Sequence, residues 1–303
     1  MIYICIPVFN RIEYTKKCIQ KLGNQSFKDY LVVVCDDGST DGTFDILTAE
    51  YPEVKVLKGD GNLWWSGATN VCVRYALQHA NPGDFVFTLN NDTELAENTL
   101  ETLINFSAEH PGSIVACGNY FLNDRSKLEA TAFVEKKKWI FSIYHHLLFP
   151  YGTDVADLSQ SVYQVHSLSG KGVLIPIEVF QKIGLYNEKQ LPQYHGDTEF
   201  TRRAHLAGFK LFYNLNAVIH TDQHATGIGQ ANSSRISVKE FLQSFFSLRS
   251  ENHLTSLYHR SRLTYGNKWP IYLTLNVLSI FYRFLQRYLK SMKRDPHTNA
   301  QRA

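Results

Sequence analysis

A chain of 303 residues with 44% hydrophobic and 13% aromatic content can bury a sizeable core, which excludes a disordered tail or a fibre. The formal net charge is +3, but the segment from Arg283 to Arg294 carries five basic residues and no acid, so the remainder is close to −2. Because the basic character is local, the composition argues against a nucleic-acid-binding protein.

The start of the chain, Met1–Asn10, has no basic leader and a short apolar stretch, so we interpret it as a strand rather than a secretory signal. The apolar stretch Trp269–Tyr282 contains Asn276 and falls short of the roughly 18 residues expected of a membrane-spanning helix. The five cysteines form no Cys-x-x-Cys pair and lie in predicted strands or helices. This pattern indicates buried thiols in a reduced, cytoplasmic protein.

Hydrophobic periodicity and helix-capping residues predict alternating strands and helices from residue 1 to 118. Strands are predicted at 3–7, 30–35, 54–57, 85–89 and 114–118, and helices at 12–22, 41–50, 66–79 and 96–110. A run of βα units predicts an α/β fold with a mostly parallel sheet flanked by helices.

The periodicity weakens between residues 119 and 165, where aromatic residues gather, and we interpret this stretch as substrate-side structure. Beyond it the pattern predicts a strand at 172–175, helices at 177–183 and 197–207, and a strand at 210–214. From Val238 onward the pattern is helical again, which predicts a C-terminal helical extension.

Polar clusters follow two of the predicted strands. Asn90, Asn91 and Asp92 come directly after one, and Asp36 and Asp37 come directly after another. Open α/β sheets bind their ligands at the carboxyl ends of the strands, so the two clusters are expected on one rim. They indicate a metal site or a sugar-nucleotide site.

In their order and spacing, several segments resemble the family-2 glycosyltransferases, and in particular their rhamnosyltransferase-like branch. The resemblance covers roughly residues 2–222 and rests on segments 6–10, 36–41, 61–70, 89–93, 169–172, 196–200 and 217–220. Each motif alone is weak, whereas the ordered set is specific. The resemblance implies a GT-A-type, Rossmann-like fold that binds nucleotide-sugars.

The resemblance also implies an organisation and an activity. A catalytic domain is expected at 1–232, with a nucleotide-sugar-binding half at about 1–118 and an acceptor-side half at 119–232, followed by the extension at 233–303. The expected enzyme is an inverting hexosyltransferase. It would move a sugar from a UDP- or dTDP-sugar, with dTDP-rhamnose suggested by the branch, to a glycan or lipid-linked acceptor in bacterial surface polysaccharide synthesis.

For the donor base, the resemblance implies that Asp37 accepts a hydrogen bond from a pyrimidine N–H, while Pro7, Val8 and Phe9 form the floor beneath the ring. A carboxylate facing a ring N–H distinguishes uracil or thymine from purines. The residues alone also allow a structural Asp-rich turn at Asp37.

The resemblance implies that Asp92 holds Mg²⁺ or Mn²⁺, with His220 as the second protein ligand and Asn91 near the donor. One aspartate is sufficient, because such ions take phosphate oxygens and water as their other ligands. The family usually has two carboxylates in this motif, so the uncharged Asn90 and Asn91 predict a weaker metal affinity. The residues alone also allow a structural turn at Asp92, a structural role for His220, or a zinc site with Asp222 and His224.

Asp197 opens a predicted helix, and the resemblance implies that it is the general base that deprotonates the acceptor hydroxyl. A helix N-cap is the alternative role for an aspartate at this position. Where the family has a Glu-Asp pair, this sequence has Gly196, which places the positioning of the acceptor in question.

Two glycine-containing segments are interpreted as loops whose backbone can come close to the donor. Gly67 and Asn70 are expected near the donor diphosphate, and Gly170 is expected under the donor sugar, with a plain turn as the alternative. The neighbouring Trp64 and Trp65 either stack on a sugar or fill the core.

The aromatic and basic tail fits either a helix on an anionic membrane surface, which would place the protein at the inner face of the cytoplasmic membrane, or a helix packed on the domain or in a homodimer. The sequence allows two other functions. One is a non-catalytic nucleotide-sugar-binding scaffold, and the other is a sugar nucleotidyltransferase, which is disfavoured because no Gly-rich basic loop follows the first strand.

Overall fold

The computed structural model describes residues 1–129, 132–138, 141–222 and 237–293, with the backbone alone described at 137–138, 141–146 and 290–293. The chain divides into two compact units, Met1–Ala225 and Thr226–Ala303.

The first unit is built from strands and helices that alternate through most of its length. In chain order these are β1 (Ile2–Val8), α1 (Ile12–Gly23), β2 (Tyr30–Asp36), α2 (Thr43–Glu50), β3 (Lys55–Lys58), α3 (Trp64–His79), β4 (Phe85–Thr88), β5 (Thr93–Leu95), α4 (Thr99–Glu109), β6 (Ile114–Phe121), β7 (Phe133–Lys138), β8 (Phe141–Leu147), β9 (Val162–Val165), β10 (Val173–Pro176), α5 (Ile177–Ile183), α6 (Gly196–Leu206) and β11 (Leu211–Thr221).

The first strand lies inside the sheet and is buried on both faces. Ile4 and Ile6 contribute to a hydrophobic cluster with α1 and α4, whereas Tyr3 and Cys5 contribute to a second cluster with α3 on the opposite face. Because successive side chains of a strand point to opposite faces, this apolar run fits a strand covered on both sides by helices. The predicted α/β architecture is thereby confirmed.

The large sheet has the strand order β3-β2-β1-β4-β10-β6-β11-β5, and β9 pairs with β11. Strands β3, β2, β1 and β4 are parallel, as predicted from the βα units. Beyond β4 the sheet is mixed, because β10 lies antiparallel between β4 and β6, and β5 and β9 pair antiparallel with β11. The prediction of a mostly parallel sheet flanked by helices is confirmed, since β6 and β11 are parallel as well. The antiparallel placement of β10, β5 and β9 is the part that the βα pattern did not predict.

The chain changes direction within the sheet at β1. It adds β2 and β3 on one side and then returns to place β4 on the other side. Ligands of open α/β sheets bind outside the carboxyl ends of the strands at such a switch point. This positions the segments after β1 and β4 at the centre of the candidate site.

The stretch after residue 118, which the sequence left unassigned, contributes mainly strands. β6 runs on to Phe121, β7 and β8 form a separate antiparallel pair, and β9 joins the large sheet. β11 is also longer than predicted and carries a register shift between Asn214 and Val218, so His220 lies within a strand. The five cysteines are buried and free of disulfides, as predicted.

The second unit consists of α7 (Val238–Ser244), α8 (Leu254–Tyr265) and α9 (Trp269–Lys293). A Ser237–Glu240 capping box begins α7. The unit has a small core of its own, formed by Phe241, Phe245, Leu257 and Ile280. The helices described in the two units include none with the length and hydropathy needed to span a bilayer.

Candidate functional site

Hydrogen bonds join the segments that follow the central strands into one rim. The backbone N–H of Asp37 donates to Val8 O over 2.9 Å, and the N–H of Gly172 donates to Thr88 O over 2.9 Å. The loops after β1, β2 and β4, together with the loop before β10, therefore meet at the carboxyl edge of the sheet. The sequence pattern predicted this meeting for the loops after β2 and β4, and the resemblance implied that the segment after β1 and the loop before β10 lie at the same site.

The loop after β1 is fastened to the loop after β2. The hydroxyl of Ser39 accepts a hydrogen bond from the N–H of Asn10 over 2.6 Å and donates one to Asp36 Oδ1 over 2.5 Å. The side-chain oxygen of Asn10 accepts in turn from the N–H of Thr40 over 2.9 Å. Asp36 thus has a structural role, as expected of an aspartate at a turn.

Asp37 is buried, and its carboxylate holds the segment that leads into α3. Oδ1 accepts from the N–H of Gly61 and Oδ2 from the N–H of Trp64, each over 2.9 Å. A Cβ at Gly59 would lie 2.7 Å from Asp37 Oδ1, so glycine is required for this close approach. Each carboxylate oxygen retains a second lone pair. The contact between Asp37 and a pyrimidine stays a prediction.

The three residues expected beneath the base differ in accessibility. Phe9 is 50% exposed at the end of β1 and Pro7 is half-buried, so both can contact a ligand. Val8 is buried in the cluster that contains Leu22 and Leu47. Its side chain belongs to the core, and its contact with the base stays a prediction.

Trp65 connects the two halves of the site. Its indole N–H donates to Asn90 Oδ1 over 3.0 Å, next to Asp92. The far edge of the same ring lies against Gly170, where an added Cβ would be only 2.6 Å from two indole carbons. Trp65 is therefore neither purely core nor free for stacking, because it links the Asp92 motif to the loop before β10.

Asp197 lies in the first turn of α6 and is held by two backbone groups. Oδ2 accepts from the N–H of Gly170 over 2.7 Å, and Oδ1 accepts from the N–H of Thr198 over 2.7 Å. These bonds orient the carboxylate on the rim. Because the bond from Gly170 and the ring of Trp65 meet at one loop, Asp197 and the Asp92 motif belong to one connected site.

Gly196, where the family has an acid, packs against the start of α3. A Cβ at this position would overlap Ser66 Oγ and lie 3.1 Å from the carbonyl oxygen of Leu191. Ser66 is itself bonded to this loop, since its hydroxyl donates to Leu191 O over 2.6 Å and its N–H to Pro192 O over 2.8 Å. The glycine thus permits a close helix contact that a larger residue would prevent.

Two residues expected near the diphosphate have structural roles. The side chain of Asn70 is buried and bonds Tyr186 N, Tyr186 O and Glu188 Oε2 at 2.6–3.0 Å. The N–H of Gly67 donates to Leu63 O over 3.0 Å, so it is not available to a phosphate. In this structure the two residues fix α3 and the loop leading to α6, and a contact of either with the diphosphate stays a prediction. Asn91 is half-buried and donates to Thr15 Oγ1 over 3.0 Å.

Asp92 is a buried carboxylate whose negative charge is only partly balanced by hydrogen-bond donors and nearby cations. Oδ1 has no hydrogen-bond partner among the described residues, and Oδ2 lies 4.0 Å from the guanidinium of Arg11. Burial raises the pKa of the Asp92 carboxyl, and the charges of Lys171 and Arg11 partly offset that rise. A buried acceptor without a donor is costly, and a ligand that approaches Oδ1 would relieve this cost.

Lys171 belongs to a series of linked polar side chains that the sequence pattern did not predict. Its ammonium lies 3.3 Å from Glu129 Oε1, and Glu129 Oε2 accepts from the amide of Asn119 over 3.0 Å. Asn119 Oδ1 accepts in turn from the hydroxyl of Thr221 over 2.8 Å. Lys171 and Glu129 are both mostly buried, so these linked side chains hold a cation near Asp92.

The structure places His220 opposite Glu94 in the β11–β5 pairing. Burial, together with Arg125, lowers the pKa of His220, while Glu94 opposes this shift. A lowered pKa favours the neutral ring, which is the form of histidine that binds a metal. The backbone N of Asp222 lies 3.4 Å from the carbonyl oxygen of Asp92, just beyond the paired residues Thr221 and Thr93. Asp92 therefore lies at the end of the strand pair that contains His220.

The chemistry of these side chains fits a divalent metal in part. Asp92 offers an unpartnered oxygen beside a crevice of about 20 Å³, roughly the space of one water molecule. Across residues 1–129, 132–138, 141–222 and 237–293, no three His, Cys, Asp or Glu side chains are grouped to hold an ion. Since Mg²⁺ and Mn²⁺ need few protein ligands, Asp92 suits such an ion that is also bound to phosphate.

Strained backbone is concentrated around this rim. Of the described residues other than glycine, those with positive φ are Asn10, Arg11, Trp64 and His195. They follow β1, precede the body of α3 and cap the start of α6. Residues with sparsely populated backbone conformations cluster at functional sites, where the surrounding bonds hold them in place.

Comparison with known protein families matches residues 3–162 to the family described as glycosyl transferase family 2. Among curated relatives, the glycosyltransferase GlyG of Streptococcus pneumoniae is 26% identical over 129 residues, which cover 42% of this chain and 41% of GlyG. The GalNAc(5)-diNAcBac-PP-undecaprenol beta-1,3-glucosyltransferase of Campylobacter jejuni is 31% identical over 106 residues, which cover 35% of this chain and 34% of that protein. The matched segments thus span less than half of these relatives.

Solved structures show the same fold at low identity. The 1–349 fragment of S. aureus TarS, solved with UDP, has a TM-score of 0.54 and 16% identity, covering 86% of this chain and 69% of that one. GalNAc-T7, solved with UDP, GalNAc and Mn²⁺, has a TM-score of 0.61 and 13% identity, covering 90% of this chain and 49% of that one. At these identities the likeness concerns the fold alone.

Proposed function

Because this chain belongs to glycosyl transferase family 2, we propose that it is an inverting enzyme that moves a sugar from a UDP- or dTDP-linked donor to a hydroxyl of a glycan or lipid-linked acceptor. The observation that carries the proposal is the connection of Asp197 to the Asp92 motif through Gly170, Trp65 and Asn90. It supports one site with a base at one end and, at the other, a carboxylate that would hold a metal ion for the diphosphate.

In this proposal Asp197 accepts the proton of the acceptor hydroxyl while that oxygen attacks the anomeric carbon. The bond from the anomeric carbon to the nucleoside diphosphate breaks, and the diphosphate leaves with the electron pair. The bonds from Gly170 and Thr198 keep the carboxylate in one orientation during the transfer. Preorganisation of this kind avoids the cost of reorienting the base during reaction.

Positive charge for the leaving group comes from two directions. Lys171 and Arg11 both act on Asp92, and a donor diphosphate at this rim would lie within reach of their charges. Asp92 is the residue that would hold Mg²⁺ or Mn²⁺, with His220 as the second ligand proposed from the resemblance. The metal would supply further charge neutralisation at the diphosphate.

The identity of the substrates is proposed from the relatives and from the resemblance. UDP in the structures of TarS and GalNAc-T7 supports a UDP-sugar, whereas the rhamnosyltransferase-like motifs support dTDP-rhamnose. The undecaprenol-linked acceptor in the name of the C. jejuni relative supports a lipid-linked acceptor in surface polysaccharide synthesis. We also propose a location at the inner face of the cytoplasmic membrane, where such acceptors are presented.

The test is release of nucleoside diphosphate from a panel of UDP- and dTDP-sugars without acceptor. We expect slow release from one donor by the wild type, loss of release in Asp92→Ala and Asp197→Asn, and unchanged release in Asp45→Ala, an exposed aspartate on α2. A donor that binds without any release would favour the non-catalytic scaffold. Pyrophosphate formed from a nucleoside triphosphate and a sugar 1-phosphate would favour a nucleotidyltransferase.

A further inference from the structure

Helix α9 carries a regular row of exposed apolar side chains. They alternate at spacings of four and three residues, their exposed fractions run from 43% to 62%, and they are Ile271, Leu275, Leu278, Tyr282, Leu285 and Leu289. At a rise of ~1.5 Å per residue the row is about 27 Å long. Soluble monomers rarely expose a continuous apolar strip of this length.

The opposite face of α9 holds the second unit together. Tyr272 and Ile280 are buried, and the ring of Phe284 stacks on Phe241 of α7 with centroids 3.9 Å apart. Packing within the unit is thus satisfied by other residues. The exposed row is not needed for the core of this unit.

Helix α7 widens the row into a broader surface. Val238 and Leu242 are about half exposed, and they line a groove of about 320 Å³ together with residues of α9 that include Phe281 and Leu285. Phe246, just after α7, is 81% exposed. We call the six residues of the row together with Val238, Leu242 and Phe246 the apolar face.

The charge of the second unit indicates what covers this face. Residues 237–293 contain nine Lys and Arg and two Glu, a formal charge of +7, whereas the whole chain has +3 and the remaining residues therefore sum to −4. Within α9 there is no acidic residue, and Arg283 and Arg287 are exposed away from the apolar row. A helix with an apolar face and basic residues on its other faces is typical of binding in the plane of an anionic membrane.

We propose that the apolar face docks on a lipid bilayer that contains anionic headgroups. A second copy of the chain is the less favourable occupant, because it would bring another +7 to the interface without acids from α9 to balance it. This inference extends the proposed membrane location. It rests on the proposed function only for the purpose of the membrane contact, which is access to a lipid-linked acceptor. The surface itself is defined by α7 and α9.

The experiment is co-sedimentation of the full chain with vesicles of phosphatidylcholine alone or of phosphatidylcholine mixed with phosphatidylglycerol. We expect binding to the mixed vesicles and reduced binding at high ionic strength. The double variant Leu278→Glu with Leu285→Glu should reduce bound protein by about tenfold or more, since two buried apolar contacts are lost. The control is Ser279→Glu with Gln286→Glu, which makes the same charge change at exposed positions beside the row.

Two results would overturn the inference. The first is absence of binding to either vesicle, or equal binding by the two double variants. The second is a dimer in light scattering that Leu278→Glu with Leu285→Glu dissociates, because the face would then join two copies. Release of nucleoside diphosphate from a soluble donor is measured without vesicles, so its failure would concern the proposed reaction and not the membrane surface.

Discussion

The indole N–H of Trp65 donates a hydrogen bond to the side-chain oxygen of Asn90 over 3.0 Å. This bond joins the start of α3 to the polar segment after β4, directly beside Asp92. The other end of the ring contacts Gly170, whose N–H bonds Asp197. One side chain thus fixes the spacing between the proposed metal ligand and the proposed base.

Trp65→Phe removes the N–H and also the far edge of the indole that contacts Gly170. We expect the free energy of unfolding to fall by about 1 kcal/mol or more, because Asn90 loses a hydrogen bond and Gly170 loses a ring contact, and we expect kcat to fall several-fold. Chemical denaturation and donor turnover measure the two effects. Trp64→Phe is the matched control, because Asp37 holds Trp64 through its backbone N–H. Equal losses in the two variants would contradict the linking role of Trp65.

Gly170→Ala tests the close packing between the base and the indole. The new Cβ would lie 2.6 Å from Trp65 and 3.0 Å from the Cβ of Asp197, so one of them must move. Overpacking of this kind costs about 1–3 kcal/mol of unfolding free energy, and donor turnover should fall as Asp197 is displaced. Gly23→Ala is the control, since no heavy atom lies within 4 Å of its Cβ position. Full activity in Gly170→Ala would show that the spacing is not needed.

Asp92→Asn should stabilise the protein while it abolishes transfer. Because burial raises the pKa of Asp92 in the folded state, the wild type loses stability as the pH rises from the unfolded pKa through the folded pKa. The variant should therefore melt on the order of 2–4 °C higher at pH 7, and the difference should vanish at pH below ~4.

Asp41→Asn is the opposite control for this pH series. Asp41 is also partly desolvated, but its bonds to the hydroxyl and N–H of Thr43 and to the N–H of Ile12 lower its pKa. Its contribution is present above the unfolded pKa and is lost as the pH falls through the folded pKa. The substitution should lower the melting temperature at pH 7. If Asp92→Asn also lowered the melting temperature, Asp92 would not be an uncompensated charge.

Lys171→Met tests the cation beside Asp92. If the ammonium stabilises the leaving diphosphate, kcat should fall on the order of 10²-fold, and Lys171→Arg should recover part of the loss. The exposed pair of Lys16 and Glu50 offers a control, Lys16→Met, which should leave turnover unchanged. A loss of stability in Lys171→Met without any change in kcat would assign Lys171 to structure alone.

The parallel half of the sheet could be predicted because each of its strands and helices carries its own periodicity. The antiparallel position of β10 between β4 and β6 could not, since it depends on contacts between segments far apart in the chain. Local pattern likewise gave no sign of β5, which is three residues long and pairs with β11.

The strand-end position of the Asp92 and Asp37 motifs could also be predicted, but the partners of individual side chains could not. The sequence around Asn70 and Val8 has no local feature that distinguishes a buried structural residue from one that contacts a ligand. Lys171 and Glu129 lie 42 residues apart, and Glu129 falls in the stretch where periodicity is weak. Tertiary packing decides these roles, and a single sequence does not encode it in a readable pattern.

Asp92 is proposed to take part in binding a nucleoside diphosphate together with a divalent metal. The most direct test is the melting temperature of the full chain with UDP, dTDP, GDP or ADP, each with and without Mn²⁺. We predict a rise with UDP or dTDP that requires Mn²⁺, is absent in Asp92→Ala and persists in Asp45→Ala. The claim would be contradicted if no nucleotide raised the melting temperature, or if Asp92→Ala showed the same rise as the wild type.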